Sequence, residues 1–180
     1  MRVFAGLPLP ERTRETIAAW MNTWEAERKA LKPVQPTGLH VTLHFFGEVD
    51  EGGAEEIGKA LAAIRRNRIE AALGGLSHFP RKGKTRVFAI DFDTGGEEIA
   101  SLYNGLMRSL GDIGYAPVGR PFVPHITVAR VRRGAAVPVL PSFEPNRGTR
   151  LTLDRLVLFQ SILKPTGAEY HPLTTVPFDQ

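Results

Sequence analysis

The chain has 180 residues, 42% of them apolar, with a formal net charge of +4, a size that fits one domain or two small lobes sharing a core. It contains no Cys, which excludes disulfides and thiolate metal sites and makes the reducing cytoplasm the expected compartment. The opening MRVFAGLPLPER is too short an apolar run for a signal peptide, and no stretch approaches the ~18 apolar residues of a membrane span. A soluble cytoplasmic monomer with no membrane association is therefore expected.

Residues 2–7 (RVFAGL) predict a first strand, ended by Pro8 and Pro10. From Glu11 to about Lys29, Ile17, Trp20, Met21 and Trp24 fall at helical spacing, with Pro33 as the stop. In the stretch 38–49, GLHVTLHFFGEV, Val41, Leu43 and Phe45 alternate with His40, Thr42 and His44, the period of a half-buried strand. Ala54 to Arg66 predicts a second helix, Ile69 to Phe79 a strand interrupted by Gly74 and Gly75, and Arg86 to Phe92 another strand. Glu97 to Leu110 predicts a third helix, with Ile99, Leu102, Tyr103, Leu106 and Leu110 on one side. A Gly- and Pro-rich passage, Gly111 to Pro124, leads into a strand with Ile126 and Val128 on one face and His125 and Thr127 on the other. Ala135 to Asn146 is expected to be a loop with a short helix. Residues 150–178 suggest a hairpin, with Leu151, Leu153, Leu156, Leu158 and Ile162 as its apolar positions and Lys164–Gly167 as its turn.

An internal repeat organises these elements. RVFA at 2–5 recurs at 86–89, an offset of 84, and His40-x-Thr42 recurs as His125-x-Thr127, an offset of 85. Two copies of strand, helix, loop and His-x-Thr strand mean two related lobes rather than a solenoid. The expected fold is α+β and pseudo-two-fold: two antiparallel β-sheets facing a central groove with helices outside, residues 1–180 forming one bilobal domain. The His-x-Thr strands, near 39–47 and 124–131, then bring His40 and His125 together.

A lone His on a strand is ordinarily structural; two His-x-Thr units at matching places in a repeat are harder to assign to packing. His40 and His44 have the i, i+4 spacing that serves zinc on a helix, but on a strand they stand roughly 13 Å apart, so no metal is expected. A Ser- or Thr-nucleophile scheme lacks a third group to orient the base. General acid and base work by two imidazoles remains, since His holds either protonation state near neutral pH. The Thr hydroxyls would donate to anionic oxygens. Arg clusters at 65–68, 81–84 and 130–133 permit a phosphate-bearing partner without demanding one.

Two H-x-T-x motifs in a duplicated α+β chain resemble the 2H phosphoesterase superfamily. The segments RVFAGLPLPE, QPTGLHVTLHFFGEV, FVPHITVARV and LFQSILKPTGAEYHPL look more closely like the RNA 2',3'-cyclic phosphodiesterases, also called 2'-5' RNA ligases. The resemblance implies cofactor-free hydrolysis of RNA 2',3'-cyclic phosphate ends, tRNA fragments among them, to 2'-phosphomonoesters, with 2'-5' ligation as the reverse path. It implies His40 as proton donor, His125 as proton acceptor, and Thr42 and Thr127 as phosphate holders. Arg130 matches the family's His-x-Thr-x-Ala-Arg ending, although simple alternation turns it away from His125 unless a bulge intervenes. His44, on the face of His40, is a candidate phosphate contact. The linker PVQPTGLH lacks the aromatic expected there, leaving Phe46 as a candidate base platform. Small cyclic nucleotides or an ADP-ribose cyclic phosphate are the alternative substrates. A noncatalytic RNA- or nucleotide-binding module is the alternative class.

Overall fold

The elements follow one another as β1 (Arg2–Pro8), α1 (Glu11–Met21), β2 (Leu31–Pro33), β3 (His40–Glu48), α2 (Glu51–Ala62), β4 (Ile69–Phe79), β5 (Val87–Thr94), α3 (Gly96–Gly111), β6 (Ile126–Val131), β7 (Arg150–Leu153), β8 (Arg155–Lys164) and β9 (Gly167–Pro177). They come from a computed structural model that describes residues 1–180 apart from Val118, Arg120, Pro165 and Thr166. Parts of the predicted 111–124 passage and 164–167 turn therefore lie outside the described residues. Among the described residues, no helix is long and apolar enough to cross a membrane.

The expected α+β architecture is present, and the strands join in the order β7-β4-β5-β6-β3-β1-β8-β9, with β2 on β6. Every pairing between named strands is antiparallel. Two half-sheets, β7-β4-β5-β6 and β3-β1-β8-β9, are continuous through a single residue pair, Val41 with Ile126. Each His-x-Thr strand is thus the inner border of its half. The halves also exchange strands: β4, which ends the first repeat, pairs with β5 of the second, and β8, near the end of the chain, pairs with β1.

The core lies between sheet and helices. Val3, Ala5 and Leu7 of β1, Val41 and Leu43 of β3, and Ile126 and Val128 of β6 are all buried. In α3 the expected stripe Ile99, Leu102, Tyr103, Leu106 and Leu110 is the buried one. Helix α2 begins at Glu51, earlier than the apolar spacing suggested, because the Asp50 carboxylate accepts from the Gly53 amide at 2.8 Å and caps it. Its Gly58 lies so close to β9 that a Cβ there would meet Thr174 Oγ1 at 2.8 Å.

Two predicted spans need correction. Helix α1 stops at Met21 rather than near Lys29. Trp24 is fully buried against Trp20, with ring centroids 4.8 Å apart, but from the turn beyond the helix, so its helical spacing misled. Arg28 covers the open helix end, donating to the carbonyls of Met21 and Trp24 at 3.1 and 3.0 Å. The predicted C-terminal hairpin is also divided. Leu151 and Leu153 belong to β7, on the far edge of the other half-sheet, and only β8 and β9 pair as a hairpin.

Candidate active site

The pair Val41–Ile126 fixes the register of the two motifs. In an antiparallel pair the neighbours on either side are then His40 opposite Thr127 and Thr42 opposite His125. Their side chains share one face, with directly opposed Cβ atoms about 4.5–5.5 Å apart. Val41 and Ile126 point the other way, into the core.

Both imidazoles are held by the same local device. His40 Nδ1 lies 2.7 Å from the Gly38 carbonyl, and His125 Nδ1 lies 2.7 Å from the Val123 carbonyl, each two residues back. A carbonyl only accepts, so each Nδ1 carries a proton and each Nε2 is the nitrogen that can exchange one with a substrate. Thr42 Oγ1 sits 2.9 Å from His40 Nε2 and donates to it when the ring is neutral. Burial pushes His40 down to about 4; the hydrogen bond to Gly38 opposes this, and the nearby charge of His125 adds to it. His40 is therefore neutral at pH 7 in the free protein.

Beyond the threonines, a bulge in each strand changes which residues share the site. Gly6 pairs with Thr42 and Ala5 with His44, so Leu43 is the extra residue of β3. His44 consequently turns to the core side. It is 6% exposed, burial lowers its pKa, and its Nδ1 has no hydrogen-bond partner among the described residues. Phe46 follows it there and packs on His44 and Tyr115, with ring centroids 4.9 and 5.0 Å apart. The expectation of His44 and Phe46 on the groove face is thus corrected, because a strict period of two does not survive the bulge. Phe45, expected in the core, is instead 57% exposed on the His40 side, 5.4 Å from the Phe4 ring.

The second strand repeats the irregularity. Ala89 pairs with Thr127 and Phe88 with Ala129, leaving Val128 extra. Val128 and Ala129 are both fully buried, and Arg130 emerges exposed on the face of Thr127. Its charge, with that of Arg2, opposes the upward shift that burial gives the Tyr170 hydroxyl, and the Tyr170 ring lies 5.1 Å from His40. Phe45 and Arg130 thus occupy equivalent places, each three residues after its Thr.

Residues distant in sequence complete the surroundings. Phe4 and Tyr170 stand 4.8 and 5.1 Å from the His40 ring, with Phe159 behind them at 6.2 Å. Tyr170 also packs over the motif's own linker, where a Cβ on Gly38 would meet its ring at 3.1 Å. Tyr170 of β9 thus places an aromatic ring over that linker, bordering an open cleft of about 530 Å³. Gly6 leaves room beneath His40: a Cβ there would lie 2.9 Å from the Val41 carbonyl and 3.2 Å from the imidazole. On the other side, the Phe79 ring is 4.5 Å from His125, and the Arg81 guanidinium lies 4.8 Å over Phe79. For Phe4 the repeat was a sequence signal, relating it to Phe88 and β1 to β5.

The Arg cluster at 65–68 lies elsewhere. Arg65, Arg66 and Arg68 line a separate cleft of about 590 Å³, and Arg66 donates to the Glu98 carbonyl at 2.8 Å. Among the described residues, no three His, Asp or Glu side chains gather into a metal-binding cluster.

A family model described as LigT like Phosphoesterase matches residues 7–89 and again 90–170. An RNA 2',3'-cyclic phosphodiesterase of Aeropyrum pernix is 34% identical over 150 residues, covering 81% of this chain and 85% of its own. One from Thermus thermophilus is 34% identical over 179 residues, covering 94% of this chain and 86% of its own. The crystal structure of the Thermus thermophilus protein TT0787 superposes with a TM-score of 0.82 at 29% identity, covering 98% of this chain and 97% of its own. E. coli LigT complexed with 3'-AMP superposes at 0.80 and 26% identity, covering 99% and 98%. With both halves matched and both histidine motifs at equivalent places, the chain belongs to the LigT-like phosphoesterase family.

Proposed function

We propose that this chain hydrolyses RNA ends carrying a 2',3'-cyclic phosphate to 2'-phosphomonoesters, as a cytoplasmic monomer whose two halves act as one domain, without metal or cofactor. The observation that carries this reading is the register that sets His40 beside Thr127 and Thr42 beside His125 on one face. Relatives that bear the name RNA 2',3'-cyclic phosphodiesterase support it.

In the reaction, a water oxygen bonds to phosphorus and gives its proton to His125 Nε2. The P–O3' bond breaks in line with that attack, and O3' takes a proton from His40 Nε2. Thr42 and Thr127 donate hydrogen bonds to the two remaining phosphoryl oxygens, whose charge grows in the transition state. Burial keeps His40 neutral in the free protein, so its donor form assembles with the substrate, as the cyclic phosphate anion raises its affinity for a proton. Arg130 adds a fixed positive charge, and Phe45 offers a face for the base. With the 5'-hydroxyl of a second RNA end in place of water, the same attack on phosphorus, with the P–O3' bond broken and O3' protonated, forms a 2',5' phosphodiester, which is the ligation reading.

The test is the product of a cyclic-phosphate-ended oligonucleotide in the presence of EDTA. A 2'-phosphate with a bell-shaped pH dependence is expected; a 3'-phosphate would overturn the assignment of leaving group. Faster turnover of an ADP-ribose cyclic phosphate or a small cyclic nucleotide would move the substrate class. Tight binding with no turnover at any pH would leave a binding module.

A further inference from the structure

We propose that Arg81, stacked on Phe79, binds the phosphodiester on the 5' side of the reacting nucleotide, making the site one that grips an RNA chain end rather than a lone nucleotide. This rests on the reaction proposed above.

Three observations carry it. First, position: the His125 and Phe79 rings are 4.5 Å apart and the Arg81 guanidinium lies 4.8 Å beyond Phe79, so a cation stands one aromatic ring away from the second imidazole. A phosphate belonging to the adjoining nucleotide is the nearest anion that a chain end could present there. Second, preorganisation: Arg81 Nη2 is held at 3.1 Å by Asp91 Oδ2, and Asp91 Oδ1 accepts from Ser77 Oγ at 2.7 Å. Asp91 engages Nη2 alone, and the side chain remains 50% exposed, so the Nε–H and Nη1–H donors, on separate edges of the guanidinium, and its positive charge stay open to a phosphate. Third, contrast with another carboxylate-held arginine: Arg147 is closed on Asp93 through two nitrogens at 2.8 and 2.9 Å and also reaches Glu144. The partition of the groove agrees. Rings crowd the His40 side and suit a base, whereas the Arg81 cation stands beyond His125.

The experiment compares kcat/KM for a nucleoside 2',3'-cyclic phosphate with and without a 5'-phosphate, and for a dinucleotide ending in the same cyclic phosphate. Wild type should prefer the substrates with the second phosphate. That preference ratio should fall about tenfold in Arg81→Ala and in Arg81→Gln, the latter keeping a polar stem over Phe79. The salt dependence of the dinucleotide reaction should flatten by about 0.7 in log–log slope, one single-strand phosphate contact. Lys84→Ala, on the same turn, should leave the ratio within twofold. An unchanged ratio in both Arg81 variants, or an equal fall in Lys84→Ala, overturns the subsite while leaving the reaction intact. A larger Arg81→Ala loss on an ADP-ribose cyclic phosphate than on the dinucleotide reassigns it to a pyrophosphate and overturns the RNA reading. Failure of wild type to cleave any of these substrates removes the underlying reaction instead.

Discussion

His40 and His125 are held by one backbone device in two different settings. Each donates Nδ1–H to the carbonyl two residues back, and each is followed by a Thr and then by a bulge. Around His40, however, stand Phe4, Phe45, Phe159 and Tyr170, while His125 has Phe79 and Arg81 on its side. The contrast extends to the neighbouring strands. Thr42 faces Gly6 across the ladder and Thr127 faces Ala89, so β1 makes room for an embedded ring where β5 carries a methyl group. Duplication supplied matching polar groups, and divergence of the walls gave them different electrostatic surroundings.

The harshest way to break this comparison is to delete each imidazole. His40→Ala and His125→Ala should each lower kcat by about 10²–10⁴ with the fold intact by circular dichroism. Full activity in either variant would end the two-imidazole mechanism. A sharper probe is Gly6→Ala, which gives β1 the residue β5 already has. The new Cβ cannot fit 2.9 Å from a backbone oxygen without displacement, and His40 is next in its path. A fall in kcat of roughly 10- to 100-fold is expected at temperatures well below melting; an unaltered kcat would show that His40 does not depend on that space.

The matched pair Phe45→Ala and Arg130→Ala should part company on the same assay. Loss of a stacking face is worth about 1–3 kcal/mol per base, so Phe45→Ala should raise KM in a way that varies with the base offered. Arg130→Ala should lower activity uniformly across bases and reduce its salt sensitivity. Identical responses would mean that the two places are not functionally distinct. The smallest effect concerns His44. Burial depresses its folded pKa below the ordinary 6.5, so the unfolded chain binds the extra proton first. Stability from this residue is present above about pH 6.5 and is lost as pH falls toward the folded value. Thermal melts of His44→Leu should therefore decline less steeply between pH 7 and 5 than those of wild type, the remaining slope including His40, which shifts in the same direction. A parallel decline would exclude His44 as a contributor.

Much of this site was legible in the sequence because two identical polar patterns on amphipathic strands can share a face only by pairing. His40, Thr42, His125 and Thr127 come together through that logic. The assignments of His44, Phe45 and Phe46 were not legible beyond Thr42, since the bulge at Leu43 leaves no mark in composition. It is visible only against β1, where two residues of β3 meet one. The same event at Val128 turns Arg130 to the face of Thr127, opposite to where alternation alone pointed. The walls were hidden for another reason: Phe4, Phe159 and Tyr170 lie on strands brought together only by the exchange between repeats, and a repeat read in isolation assigns each strand to its own half.

That exchange bears on how the molecule is made. Strand β1, translated before the others, borders β8, which lies more than 140 residues later and brings Phe159 and then Tyr170 to the His40 side. Long-range pairing of this kind is closed late, after the entropy of a large loop has been met. His40 is translated early yet gains its aromatic enclosure only when the C-terminal strands arrive, so a nascent chain holds both histidines before it holds their environment. Truncation after β6 would keep every candidate catalytic residue and still lack the setting in which His40 is held neutral.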